Sequence, residues 1–382
     1  MKRPRLMDGA TPPGQPSPEL IATARHVGLR YVSDTCPGIS RRLSHGSFQY
    51  FDAGGKKIQR AEILARIKRL AIPPAWQNVW VCSEANGHLQ ATGRDARKRK
   101  QYRYHSDWRK VRDDTKYERT ISFGRVLPRI RRRVARDLTR RGLPREKVLA
   151  TVVRLLETTL IRVGNDEYAR GNRSYGLTTL QDRHAEIRAD RVTFRFRGKS
   201  GKKHVLDIRS RKLAKIIKRC RDLPGYELFQ YLDDSGTPVD ITSTDVNEYL
   251  REISGSDFTA KDFRTWAGTV LAARALQEFE QFASETEAKR NLLQAVEAVA
   301  RMLGNTPAIC RRCYVHPVIF NTYLDGSLVE RLKGQAERKL ISATRNLRPE
   351  EAAVLMLLQQ TLSKPRSLRK ARRKAQEKFA KA

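Results

Sequence analysis

Apolar residues change their spacing part-way along this chain, and that change limits the fold more than any other feature. Up to about residue 115 they come in short runs broken by glycine turns, as in YVSDTCPGISRRLSHGSFQYFDAGGKKIQ and WQNVWVCSEANGHLQATGRDARKRKQYRYH. Period-two runs between turn residues read as strands. RAEILARIKRL, between the two, reads as a helix. From about residue 120 the period lengthens. REKVLATVVRLLETTLIRVGN sets Val148, Leu149, Val152, Leu155, Leu156, Leu160 and Ile161 at helical spacing, with Gly164 as a stop. A strand interlude follows. Val192, Phe194 and Phe196 alternate, as Val205 and Ile208 do approximately, and the RGKSGKK turn makes a hairpin with Lys199 near its tip. TSTDVNEYLREI carries a Thr/Ser N-cap signal, and TAKDFRTWAGTVLAARALQEF and EAKRNLLQAVEAVARMLGN are amphipathic.

These patterns predict an α+β fold in four parts. Residues 1–19, rich in Pro, Gly and Ser, form a disordered tail. Residues 20–116 form a small β-rich N-terminal domain. Residues 117–362 form a larger, mainly α-helical domain carrying a small antiparallel β-sheet. Residues 363–382 form a basic C-terminal tail. That tail reads either as a solvated helix or as a non-specific DNA arm, and its block of charge favours the arm.

Charge narrows the partners. The 382 residues hold 77 Lys and Arg against 41 Asp and Glu, a net charge of +36. An excess of that size calls for a polyanion, and nucleic acid is the first candidate. No apolar run is long enough to span a bilayer. MKRPRLMDGATPPGQPSPEL lacks the apolar core of a secretory signal, so an intracellular, cytoplasmic protein is expected. Five cysteines (Cys36, Cys82, Cys220, Cys310 and Cys313) argue against a disulfide framework.

GNTPAICRRCYVHP, residues 304–317, concentrates possible chemistry. Gly304 ends one helix, Thr306 caps the next, and Pro307 takes its first position. Asn305 then sits at a helix N-terminus, where free N–H groups favour an anion. Tyr314 follows two turns later, and Pro317 limits the helix. Cys310 and Cys313 have no second cysteine pair at zinc spacing, and at i and i+3 they read as packing residues. The seven histidines show no metal-ligand spacing, so no histidine site and no metal are expected. A tyrosine nucleophile has a cost. A phenol of pKa ~10 is only about one part in a thousand ionised at neutral pH, so it needs cations around its target.

LIRVGNDEYARGNRSYGLTTL, FRGKSGKKH, KDFRTWAGT and LGNTPAICRRCY occur in this order. Together they resemble the catalytic motifs of the type IB DNA topoisomerases, in the compact poxviral and bacterial branch. The resemblance runs over roughly residues 75 to 325. It implies a monomeric C-shaped clamp on double-stranded DNA, nucleoid-associated if bacterial, with no ATP, required metal or small-molecule cofactor. It also implies the roles. Tyr314 matches the nucleophile that forms a 3′-phosphotyrosyl bond. Lys199 matches the general acid for the 5′-hydroxyl, assisted by Arg162. Arg162 and Arg264 match the clamp on the non-bridging oxygens, and Lys261 a further lysine of the site. Asn305 stands where many members have histidine. An amide also donates a hydrogen bond, without charge or titration. The run GRDARKRKQYRYH matches the family's DNA-contacting segment. Gln101, Tyr102, Tyr104, Lys98 and Arg103, with Arg99 and Lys100 beside them, become DNA contacts.

Taken singly, each residue has a plainer reading. Arg162 would serve a helix dipole, Lys199 would be a turn lysine, Arg264 a surface charge, Tyr314 a core aromatic, and Tyr102 and Tyr104 one face of a half-buried strand. Two rival functions follow from the same residues. A tyrosine recombinase shares the Arg/Lys/Tyr chemistry, but would carry histidine at position 261 and after the second arginine, where Thr265 stands. A non-enzymatic nucleoid protein explains the charge but not the ordered motifs.

Overall fold

The structure, a computed structural model, describes residues 18–44, 46–96, 98, 100–279, 282–339 and 347–362. The tails expected at 1–19 and 363–382 lie outside the described residues, apart from Pro18 and Glu19. The chain divides into two compact units, Met1–Tyr117 and Glu118–Ala382.

The first unit opens with a short helix that the sequence patterns do not signal, α1 (Pro18–His26). Strands β1 (Ile39–Ser44) and β2 (Ser47–Phe51) form a hairpin. Helix α2 (Ala61–Arg69) follows, then β3 (Gln77–Val81), β4 (Leu89–Arg94) and β5 (Lys100–Tyr104). The five strands make one antiparallel sheet in the order β2-β1-β3-β4-β5. Ile39, Ile67, Val79, Val81 and Ala91 pack as its core. β5 is therefore an edge strand. Helix α3 (Ser106–Asp137) contributes to both units and begins well before residue 120, where the helical pattern was expected to start.

The second unit is built around α4 (Arg145–Thr159), in which Val148, Leu149, Val152 and Leu155 are wholly buried. A helix buried along most of its length belongs at the centre of a bundle, and truncating one such leucine to alanine costs about 2–5 kcal/mol. After it come α5 (Asp166–Asn172), the antiparallel sheet of β6 (Ala185–Arg188), β7 (Arg191–Arg197) and β8 (Lys203–Arg209), and α6 (Arg211–Arg221). A second small hairpin joins β9 (Gln230–Leu232) to β10 (Pro238–Asp240). The remaining helices are α7 (Ser243–Ser254), α8 (Ala260–Glu278), α9 (Glu285–Leu303), α10 (Pro307–Cys313), α11 (Pro317–Leu324), α12 (Leu328–Lys339) and α13 (Pro349–Leu362). The fold class is thus α+β. Among the described residues no helix is long and apolar enough to cross a membrane.

A buried ion network ties four of these helices together. Arg131 on α3 donates to Glu157 on α4 at 2.6 Å and to both carboxylate oxygens of Glu351 on α13 at 2.7 Å. Trp266 on α8 donates to the same Glu351 at 3.4 Å. Burial disfavours the charged guanidinium, but the two carboxylates outweigh it and hold Arg131 above its ordinary pKa.

Three expectations need correcting. The α4 helix ends at Thr159, before Gly164, because Leu160 turns into the left-handed region at φ 56°. Val205 is 63 % exposed, so the inward face of β8 carries His204, Leu206 and Ile208 instead. Tyr314 does not lie within a helix running to Pro317: it caps the C-terminus of α10, and Pro317 starts α11.

Candidate active site

Three chain breaks from regular structure bring the motif residues together. The first is the left-handed end of α4. It releases the chain into an extended segment, and Arg162 lies two residues on. That segment is held by backbone hydrogen bonds from Leu177 to the Arg162 carbonyl (2.9 Å) and from Thr178 to the Val163 carbonyl (2.7 Å). Arg162 therefore does not serve a helix end. The second is the β7–β8 turn, where Lys199 is exposed at the tip. The third is the α9–α10 junction. Gly304 closes α9 at φ 61°, and Thr306 caps α10 by accepting from the Ile309 amide at 3.4 Å. Between them Asn305 is 9 % exposed.

Arg264 comes from the second turn of α8. Asp262 fixes the start of that helix, accepting from the Thr259 amide at 2.8 Å and pairing with Arg119 through both carboxylate oxygens. Arg264 itself is 4 % exposed, not a surface charge. Its guanidinium donates to the carbonyl of Leu160, at the end of α4, and to that of Leu303, the last residue of α9, the latter at 2.7 Å. Terminal helix carbonyls carry partial negative charge, which suits a cation. The same guanidinium lies 5.2 Å from the centroid of the Tyr314 ring. Burial pushes the Arg264 pKa down, and the facing phenol partly restores the charged form.

Arg162 donates to the side-chain oxygen of Asn305. The Asn305 Nδ2 is buried and has no acceptor among the described residues. Burial, and after it the like charge of Arg264, lower the Arg162 pKa. Two guanidinium groups that disfavour each other, beside an amide N–H with no partner, form a site whose electrostatics an anion would relieve.

Arg162, Lys199 and Arg264 line one recess together with Tyr175, His204 and Leu303. His204 was missed because its place in the recess shows only in the hairpin register, where it pairs with Phe196. Reading the β8 alternation back from Leu206 and Ile208 puts it on the inward face. Lys202, also missed, donates to the Asn305 carbonyl at 3.1 Å. Lys261 is exposed on the first turn of α8, and among the described residues no hydrogen bond or ion pair joins its side chain to the other motif residues. Cys310 is fully buried on α10, Cys313 is half-buried, and both are free thiols.

In the first unit, the β5 edge carries the basic and aromatic run. Tyr102 is 47 % exposed and stacks on Tyr104 with ring centroids 6.0 Å apart. Lys98 is exposed, and Lys100 pairs with Asp34 at 2.6 Å. Gln101 donates to Asp95 at 3.0 Å, and Arg103 to the Ala71 carbonyl at 2.9 Å, so these two are engaged within the unit. Arg99 lies outside the described residues.

Comparison with known proteins gives the family. Residues 105–339 match the family model described as eukaryotic DNA topoisomerase I, catalytic core, and residues 47–95 match that of the bacterial DNA topoisomerase IB N-terminal domain. The chain is similar to DNA topoisomerase 1B of Acanthamoeba polyphaga mimivirus, 32 % identical over 285 residues, covering 73 % of this chain and 85 % of the relative. It is also similar to DNA topoisomerase 1B of vaccinia virus (strain Copenhagen), 24 % identical over 278 residues, covering 70 % and 83 %. Matched over most of its length, and with both units accounted for, the chain belongs to the type IB DNA topoisomerases and is an isomerase acting on DNA.

Proposed function

We propose that Tyr314 is the nucleophile of this topoisomerase and that the other motif residues divide the remaining work. The Tyr314 oxygen attacks a backbone phosphorus, forming a P–O(Tyr) bond as the P–O5′ bond breaks. The phenolic proton leaves to solvent, and the departing 5′ oxygen takes a proton from Lys199. Arg162 and Arg264 bind the non-bridging oxygens, where planar guanidinium groups stabilise the spread charge of the transition state. Asn305 adds a neutral donor through its Nδ2, and Lys261 enters from α8 when DNA is bound. Strand rotation about the intact strand relaxes the supercoil, and the reverse transfer reseals the nick. One phosphodiester is exchanged for one phosphotyrosyl ester, so no ATP is consumed, and cations of the protein do the work a metal would otherwise do.

The observation that carries this reading is Arg264 facing the Tyr314 ring at 5.2 Å, beside the Arg162–Asn305 pair. The β5 edge serves as a DNA-contacting surface. Lys98 and Tyr102 meet the duplex, Tyr104 backs Tyr102, and Gln101 and Arg103 hold the strand in shape through Asp95 and Ala71. Family membership supports the finer picture of a monomer closing as a C-shaped clamp on duplex DNA, in the cytoplasm with the nucleoid. Denaturant trapping on 5′-labelled DNA, followed by proteolysis, tests the assignment. The label is expected on the peptide containing Tyr314, and label on any other peptide overturns it.

A further inference from the structure

We propose that His204 is a positioning residue that fastens the Lys199 turn to the Gly304–Asn305 junction, and so sets where the general acid stands. The proposal rests on the reading of Lys199 as that acid.

The imidazole is wedged between two glycines from different parts of the chain. A Cβ at Gly198, next to Lys199, would lie 2.7 Å from the ring's Cδ2 and Nε2, and one at Gly304, next to Asn305, would lie 3.0 Å from Cε1. Only glycine lets both backbones approach the ring this closely. The ring's face is fixed too, stacked on Phe196 with centroids 4.9 Å apart and planes at 14°. Among the described residues its ring nitrogens make no hydrogen bond, so shape rather than hydrogen bonding does the fastening. Lys202, on the same turn, adds a second tie by donating to the Asn305 carbonyl. Burial, and then the cations Arg162, Arg264 and Lys202, lower the His204 pKa, consistent with a neutral ring packed as a spacer.

The turn needs such a fastening. Lys199 and Ser200 are exposed at the tip, beyond the point where β6 pairs with β7, so the turn has little packing of its own. Without the imidazole the tip would keep the Lys202 hydrogen bond but lose its packing against the segment that carries Asn305. Misplacement of a reacting group by about 1 Å can cost about 100-fold in rate.

The test is single-turnover cleavage on two substrates, an ordinary phosphodiester and its 5′-bridging phosphorothiolate. A thiolate leaves without protonation, so it bypasses the general acid. His204→Ala is expected to slow the phosphodiester roughly 10- to 100-fold and to leave the phosphorothiolate within about threefold of wild type. Gly198→Ala, which pushes against the same ring edge, is expected to show the same pattern, and the double variant to lose less than the product of the two. Thermal melts separate this from misfolding. Equal slowing of His204→Ala on both substrates, or no slowing on either, overturns the proposal. Lys199→Ala is measured alongside: if it is not rescued by sulfur, the reading of Lys199 itself fails. If it is rescued and His204→Ala is not, only the role of His204 fails.

Discussion

The Arg162 guanidinium hydrogen-bonds the side-chain oxygen of Asn305, a residue 143 positions further along the chain. This orients the amide, because the oxygen is committed to arginine and Nδ2 is left as a donor. Asn305→Ala removes that donor and leaves Arg162 without its partner. Single-turnover cleavage is expected to slow about 100- to 1,000-fold, as when one transition-state donor is lost elsewhere. Asn305→His restores a donor but adds a titrating ring. Its rate profile is expected to gain a pH-dependent limb in the ordinary imidazole range near ~6.5, absent from the wild type. A pH–rate series on both variants checks this.

Lys199 gives a chemical signature. Replacing it with alanine is expected to slow cleavage of a normal phosphodiester by about 100-fold or more, the usual worth of a general acid. The same variant on a 5′-sulfur leaving group is expected to approach the wild-type rate. A variant equally slow on both substrates removes Lys199 from that role.

On the β5 edge, Tyr102 and Lys98 should behave differently. Tyr102→Ala removes an exposed ring but no charge. DNA affinity is expected to fall about tenfold, with the salt dependence unchanged. Lys98→Ala is expected to reduce the slope of log affinity against log salt by about one unit. Titrations at three salt concentrations separate the two.

Glu227 makes a stability prediction away from the site. Burial first, then the charges of Asp240 and Asp166, raise its pKa from 4.5 to about 7. The unfolded chain releases this proton near the ordinary value while the folded chain keeps it, so stability falls as pH rises from about 4.5 to about 7 and stays lower above that. Glu227→Gln removes the loss. It is expected to stabilise the fold by about 1–3 kcal/mol at pH 8 and to do nothing at pH 4, measured by urea unfolding.

Much of this was legible in the sequence, for physical reasons. Thr242, Gly304, Thr306 and Pro307 act through local backbone chemistry, and each stands where its residue type implied. The β7–β8 hairpin followed from the alternation of Val192, Phe194 and Phe196. What escaped depends on tertiary contacts. Leu160 ends α4 in a left-handed turn and gives its carbonyl to Arg264, and no window of local sequence contains that bond. Arg264 read alone as a surface charge because helical periodicity does not record which cations are matched by buried carbonyls. His204 escaped because no single motif contains both glycines that hold it. The motif resemblance drew attention to Arg162, Lys199, Arg264, Asn305 and Tyr314, and their proximity was not derivable from spacing.

The central claim is that one phenol, supported by cations from distant segments, breaks and reseals DNA. Relaxation of supercoiled plasmid by wild type and Tyr314→Phe, with EDTA present and no ATP, tests it most directly, with DNA affinity and denaturant trapping measured on the same samples. The expected result is relaxation and covalent trapping by wild type, and equal DNA binding with neither activity by Tyr314→Phe. Relaxation by Tyr314→Phe at the wild-type rate would contradict the claim.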